Sequence, residues 1–377
     1  MKNKGFTLVE LLAVIAILAI LVIIALPNVL KMFNDSKKNS FLTEAKTIYS
    51  EVSKKYISES MKGNKLTYIS SEDDTKLDMT GKSLKYCVLL NADGSVKSMK
   101  VSNGEWIAEL PSGKKITDLN SSDLKDGNLD NEECGPKKPK TFKEDSWDTI
   151  ANAVKTGQTS NYHIGDTKEV DLGTYGKHMV RISNMSTPNE CKQNGFSQSA
   201  CGFVVEFADI ITTHNMNPKG EYKGKTYQYG WNKDGWPKSQ MKTFIDNDIY
   251  NSLPQELKNV IITTETISGH GPEDTNNLTS LDKLYLLTPK EIYSDFSNKG
   301  DSAADLTRQL DYYKNKGVTR TNYTDAIKKN NGTASWWFLR CAQSNNDSRF
   351  LEVTSSGNNN TMNASAADGV SPAFRIG

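Results

Sequence analysis

Histidine is nearly missing from this 377-residue chain. His163, His178, His214 and His270 are scattered, with no metal-ligand spacing among them. Cysteine is sparse too. Cys87, Cys134, Cys191, Cys201 and Cys341 include no C-x-x-C, so a zinc ribbon or thioredoxin-like centre has no basis. No G-x-S-x-G elbow, phosphate-binding G-x-x-x-x-G-K-[ST] loop or H-E-x-x-H pair occurs. Ser268-Gly269-His270-Gly271 reads as a turn, not as part of a triad. An excess of either charge is also lacking. The 46 basic and 45 acidic residues leave a net charge of +1, which argues against a chain built to bind nucleic acid. The sequence shows no 20- to 50-residue repeat. These absences set the expectation: no enzyme, no cofactor, no metal and no nucleic-acid partner.

Long apolar runs are rare, with one exception. Mean hydropathy is −0.57, yet the chain opens MKNKGFTLVELLAVIAILAILVIIALP, with no polar residue from Leu11 to Leu26. A secretory signal would need a small-residue cleavage site after the core, and ALPNVLKMF offers none. Phe6 to Leu26 is 21 residues, roughly 31 Å of helix and enough to span a bilayer. A plain anchor leaves Glu10 unexplained, because a carboxylate at the edge of such a helix is costly and calls for a partner. A cut between Gly5 and Phe6 supplies one. The new ammonium on Phe6 can approach Glu10 of a staggered neighbour, and pairing offsets the cost of holding either charge out of water.

Gly5-Phe6-Thr7-Leu8-Val9-Glu10, followed by the apolar helix, resembles the class III signal of type IV pilins and pseudopilins. The resemblance implies cleavage after Gly5 by a prepilin peptidase, N-methylation of Phe6 and a subunit-alignment role for Glu10. It also implies other pilin subunits and an assembly platform as partners. Pro27 fits, since that family often carries a proline near this point of its first helix. Residues 1–5 are then a leader and 6–27 a transmembrane and assembly helix. The cytoplasmic membrane precedes an extracellular pilus as location. The lysine-rich leader and the abundance of Asn and Lys point by association to a Gram-positive source.

The helix continues past the membrane part. Leu30, Phe33, Phe41, Ala45, Ile48, Val52 and Tyr56 form one amphipathic stripe, which should end by Gly63. Residues 65–116 read as a meander: KLTYI, SLKYCVLLN, SVKSMKVS and EWIAELP, joined by NADG, SNG and PSG turns. A long helix on a small antiparallel sheet is the pilin architecture, assigned to residues 28–134. With the rest of the chain outside the cell, disulfides can persist. The pairings nearest in sequence are Cys87–Cys134 and Cys191–Cys201, which leave Cys341 over. Pairing requires Cα atoms within about 7 Å, a condition on the fold. The acidic stretch 118–133 misses EF-hand spacing and reads as a solvated loop. GPKKPKTF, 135–142, reads as a linker.

The 235 residues from 143 to 377 exceed what a pilin needs. Helical patterns lie at SWDTIANAVKTG and SQMKTFIDNDIYNSLPQELKNV, and strand patterns at HMVRISN, GFVVEFADI, KLYLLT and RFLEVT. They do not alternate regularly, which excludes a doubly wound parallel sheet. The fold class expected for the whole chain is α+β. GWPKSQM (235–241), DKLYLLT (282–288), WWFLR (336–340) and GVSPAFR (369–375) resemble an uncharacterised domain family of bacterial surface proteins, over roughly residues 145–377. More distantly, Trp-Trp with a terminal Phe-Arg is similar to the C-type-lectin-like fold of formylglycine-generating enzymes. Their copper chemistry is not carried over, because Cys341 has no second cysteine near it in sequence.

Aromatics crowd YKGKTYQYGWNKDGWP. Tyr229, Trp231 and Trp236 are the candidate ligand contacts, since an exposed ring stacks on a sugar; a core role for Trp231 stands beside that reading. Trp336 and Trp337 are assigned to the core. Asn345, Asn346 and Asp347 have the side chains to bind a sugar or calcium, but a polar loop of this kind reads as solvated. The expected function is a minor pilus subunit that displays its carboxy-terminal domain to a glycan or host surface. A pseudopilin of a secretion or DNA-uptake machine is the alternative, and a surface-tethered enzyme the third.

Overall fold

The structure is a computed structural model that describes residues 8–72, 75–78, 84–129, 134–135, 139–296 and 306–377. The leader, Phe6 and Thr7 lie outside the described residues. Two units divide at Lys137/Lys138, inside the stretch read as a linker. Each has its own core.

The first unit begins with α1 (Leu8–Met61), unbroken through Pro27. Its amphipathic half buries Phe41, Leu42, Ala45, Ile48 and Val52, with Phe41 meeting Trp106 at 6.4 Å between ring centroids. Leu30 and Phe33, expected on the same stripe, are exposed. The meander forms β1 (Tyr68–Ser70), β2 (Lys85–Leu90), β3 (Val96–Ser102) and β4 (Trp106–Leu110), antiparallel and in sequence order. Alternate residues of β2 and β4 are buried, as the period-2 pattern requires. Gly94 turns the β2–β3 hairpin at φ +83, and a Cβ there would strike the Tyr56 ring at 2.2 Å.

The acidic stretch is more than a solvated loop. It makes two 3-10 turns and a fifth strand, β5 (Lys125–Asp126), paired with Trp106 and Ile107. Leu119 and Leu129 are buried and fasten it to the unit. Cys87 on β2 bonds Cys134, with Cα atoms 5.2 Å apart.

The second unit starts earlier than the sequence pattern indicated. Phe142, assigned to the linker, is fully buried against Trp147, Tyr162 and Phe203. An aromatic ring at the end of a charged, proline-rich run still gains by entering a core. Helix α2 (Trp147–Thr156) lies within the expected SWDTIANAVKTG pattern and is capped at both ends: Ser146 Oγ accepts from Thr149 N, and Gly157 turns at φ 73. Then come β6 (Thr167–Asp171), β7 (Lys177–Asn184), β8 (Val204–Phe207) and β9 (Thr212–His214), followed by the hairpin β10 (Gly220–Tyr222) and β11 (Lys225–Tyr227). The long helical pattern is a broken run: α3 (Gln240–Phe244), a π-turn over Ile245–Ile249, α4 (Tyr250–Ser252) and α5 (Gln255–Val260). Pro254 sets the break, since it supplies no N–H and forces extended backbone on the residue before it.

Strand β12 (Ile261–Ile262) leads into a hairpin of β13 (Thr264–Ser268) and β14 (Leu278–Asp282). Short helices α6 (Pro289–Ile292) and α7 (Asp311–Asn315) precede the hairpin β15 (Lys328–Asn330) and β16 (Thr333–Ser335). The chain continues with β17 (Trp337–Ala342), β18 (Arg349–Val353), β19 (Asn359–Asn363), β20 (Asp368–Val370) and β21 (Ala373–Ile376).

Two five-stranded sheets frame the core. One runs β12-β21-β8-β7-β6 and the other β19-β18-β17-β20-β9. The pairing of β17 with β20 is parallel. KLYLLT, expected as a strand, makes one isolated bridge, Tyr285 to Ala373. Its residues Leu284 to Leu287 are fully buried without a ladder of their own. Cys191 bonds Cys201 with Cα atoms 6.0 Å apart, and Cys341 is buried outside any disulfide. The long helix, the small sheet and the larger, β-rich second unit make the chain α+β.

Candidate functional site

The first functional element is the upper half of α1. From Leu8 to Phe33 every residue is exposed, and the most apolar 18-residue window has mean hydropathy 3.2 with none of it buried. This helix is long and apolar enough to cross a membrane. Apolar surface on that scale needs lipid or other helices to cover it. Glu10 lies in the first turn, where a carboxylate is favoured by the helix dipole. Pro27 sits inside the helix and removes one backbone donor.

The second element is the aromatic loop of the other unit. Tyr222 on β10 stacks on Trp231, with ring centroids 4.6 Å apart and planes within 5°. Tyr227 on β11 leans on the same indole at 6.2 Å. Ion pairs fence this stack. Tyr222 donates to Asp234 at 2.8 Å, and Tyr227 donates to Glu273 at 2.7 Å. Lys223 pairs with Asp234 at 2.7 Å. Lys225 pairs with Glu273, and with Asp347 at 2.7 Å. Burial and then Asp234 push the Tyr222 hydroxyl up to about 12. Burial and then Glu273 do the same for Tyr227, also to about 12. Lys225 holds Asp347 below the usual carboxylate range.

This geometry corrects two of the three ligand-contact candidates. Trp236 is fully buried and donates its Nε1 to Asp282 at 3.0 Å. Gly235, at φ +50, turns the chain so that the next ring enters the core. Trp231 is 6% exposed, covered by the Tyr222 ring. Neither offers a face to a sugar. Tyr229 is 53% exposed. Trp337 is core as expected, whereas Trp336 is half-buried. The polar loop is pinned: Asn232 Nδ2 donates to the carbonyls of Asn346 and Arg349 at 2.6 and 2.9 Å, and Asp347 takes Lys225.

The buried charges are not visible in the sequence pattern. Lys328 is fully buried, bonded to Glu206 at 2.7 Å and to the Phe207 carbonyl at 2.7 Å, with Trp337 4.5 Å below. Desolvation pulls its pKa down to about 8 against the pull of Glu206. Arg181 donates to the other oxygen of Glu206 at 3.0 Å. The available signal was an Arg in an otherwise apolar run, as Arg181 in HMVRISN; Lys328, in AIKKNN, lies in no such run. His214 stacks on Phe244 at 4.3 Å. Among the described residues no three His, Cys, Asp or Glu side chains gather as a metal site would require.

Comparison with known families decides the first element. Residues 1–26 match the prokaryotic N-terminal methylation motif. The chain thus carries a type IV pilin-type signal, which implies processing by a prepilin peptidase and assembly with other pilins. It fits membrane anchoring before assembly and gives no support to a Gram-positive source. Residues 209–377 match a domain of unknown function (DUF6273). That match holds all four quoted motifs but starts later than the expected 145. Strands β6, β7 and β8 precede it and still supply three of the five strands of one sheet. No curated protein and no solved structure matches the chain.

Proposed function

We propose that the chain is a minor subunit of a type IV filament that displays residues 138–377 for surface interaction. The observation that carries this reading is the methylation motif on a helix whose apolar half is bare of protein contacts. Cleavage after Gly5 creates the Phe6 ammonium, Glu10 of a neighbour sets its axial offset, and Pro27 loosens the helix for packing. A second unit of this size on every subunit would crowd a shaft, which favours sparse or tip placement. Tyr229 is the ring best placed to meet a glycan. The likeness to C-type-lectin-like domains belongs to this proposal and rests on the Trp336–Arg340 and Phe374–Arg375 segments alone.

Immunogold labelling of the second unit along filaments tests placement. Tip or sparse label supports the reading, and uniform label contradicts it. A pseudopilin role in secretion or DNA uptake shares the same amino terminus. It predicts loss of secretion or uptake on deletion, with surface adhesion unchanged.

A further inference from the structure

Glu352 on β18 is fully buried, and Asp368 on β20 half-buried. These strands flank β17 in the second sheet. Trp337 of β17 pairs with Val353 on one side and Gly369 on the other, so Glu352 and Asp368 flank the same point of the sheet and act on each other by charge and hydrogen bonding, yet Glu352 Oε2 and Asp368 Oδ2 are both buried atoms with no donor. Two acceptors cannot satisfy each other, and two buried like charges repel. We propose that Glu352 and Asp368 share one proton, which clasps β18 to β20 over β17 and makes the carboxy-terminal unit sensitive to pH.

The surrounding groups leave that role to a proton. Asn360 on β19 donates its amide to Glu352 Oε1 at 3.2 Å, leaving Oε2 to Asp368. Arg349, on the same strand as Glu352, directs its guanidinium to Asn363 and Thr361 at 3.3 and 3.4 Å. Its pull on Glu352 is weaker than the effects of Asp368 and Asn360. Opposite Asp368 on β9 stands His214, its Nδ1 held to the Asn215 carbonyl at 2.7 Å. On β17, Phe338 faces Glu352 and does not titrate. A calcium ion would want six to eight oxygens, and Asn360 here presents N–H instead.

Burial, then the charge of Asp368, pushes Glu352 up to about 8 from its ordinary 4.5. Burial raises Asp368 as well. Because the folded pKa lies above the unfolded one, the stabilisation from the shared proton is full below pH 4.5 and is lost as pH rises through about 8.

Infrared spectroscopy of the full chain in detergent micelles tests this. At pH 7 exposed carboxylates are ionised, so a protonated-carboxyl band reports the pair. The band should be present in the wild type, fade as pH rises through about 8, and be absent in Glu352→Gln. The melting midpoint of the second unit should fall from about pH 5 to about pH 8 in the wild type and fall less in the variant. Asp368→Asn provides the same test should Glu352→Gln not fold. A folded wild type without the band at pH 7, or with a band that survives both substitutions, overturns the proposal. So does a melting midpoint at alkaline pH that millimolar calcium chloride raises in the wild type alone, which would put a cation between the oxygens.

Discussion

Arg340 grips Glu291 with both side chains fully buried: Nη2 reaches Oε1 at 2.7 Å and Nη1 reaches Oε2 at 2.9 Å. The guanidinium also donates to the carbonyls of Ile267 and Leu286 at 3.1 and 2.6 Å and to Ser199 at 2.8 Å. Glu291 in turn caps α6 by accepting from Thr288 N at 3.0 Å. One arginine thus ties β17, β13 and α6 together. Burial disfavours its charge, and Glu291 outweighs that effect.

Replacing this fork with a point charge should be costly. Arg340→Lys leaves several buried acceptors unpaired and should destabilise the second unit by about 3–5 kcal/mol. Urea unfolding followed by tryptophan fluorescence measures it. A loss under about 1 kcal/mol would show that the network carries little.

Tyr229 and Trp236 should separate cleanly. Trp236→Ala empties a core position and should cost about 3–5 kcal/mol. Tyr229→Ala, on an exposed ring, should stay within about 0.5 kcal/mol while reducing retention on a glycan array. Equal effects of the two on stability would refute the assignment of one to core and one to surface.

The Cys87–Cys134 bridge closes a loop of 47 residues. Chain entropy then assigns it about 4 kcal/mol, acting through the unfolded state. Cys134→Ser should lower the melting midpoint of the first unit and leave that of the second unchanged. A shift in both would mean that the two cores unfold together.

Asp311 at the start of α7 accepts from the backbone N–H groups of Met185 and Ser186 at 3.1 and 3.0 Å and from Arg308 at 2.9 Å. Burial alone would raise its pKa, but Arg308 and these backbone donors hold it below the ordinary 3.8. Its stabilisation is present above pH 3.8 and is lost as pH falls through the lower folded value. Asp311→Asn should therefore cost about 1–3 kcal/mol at pH 7, with the gap closing in acid. A gap constant with pH would contradict the charged role.

Local patterns carried the readable part of the fold. The apolar run, the alternation in β2 and β4, and the helical pattern of SWDTIANAVKTG each act within a few residues, so the sequence displays them. Partners far apart do not show. Arg340 and Glu291 are 49 positions apart, and Lys328 and Glu206 122. The buried Leu284–Leu287 run looks like a strand because apolar residues fill both faces, yet its backbone forms only one bridge. β5 stayed hidden because two residues of an acidic loop carry no strand signature. At the aromatic loop, composition located the rings but not their burial, which depends on the Gly235 turn and the Tyr222 stack.

The most direct test is the mass and amino-terminal sequence of the mature chain recovered from cell-surface filaments. The expected result is N-methylated Phe6 as the first residue, with Met1 to Gly5 gone. A mature chain that still begins at Met1, with Gly5 joined to an unmodified Phe6, would contradict it.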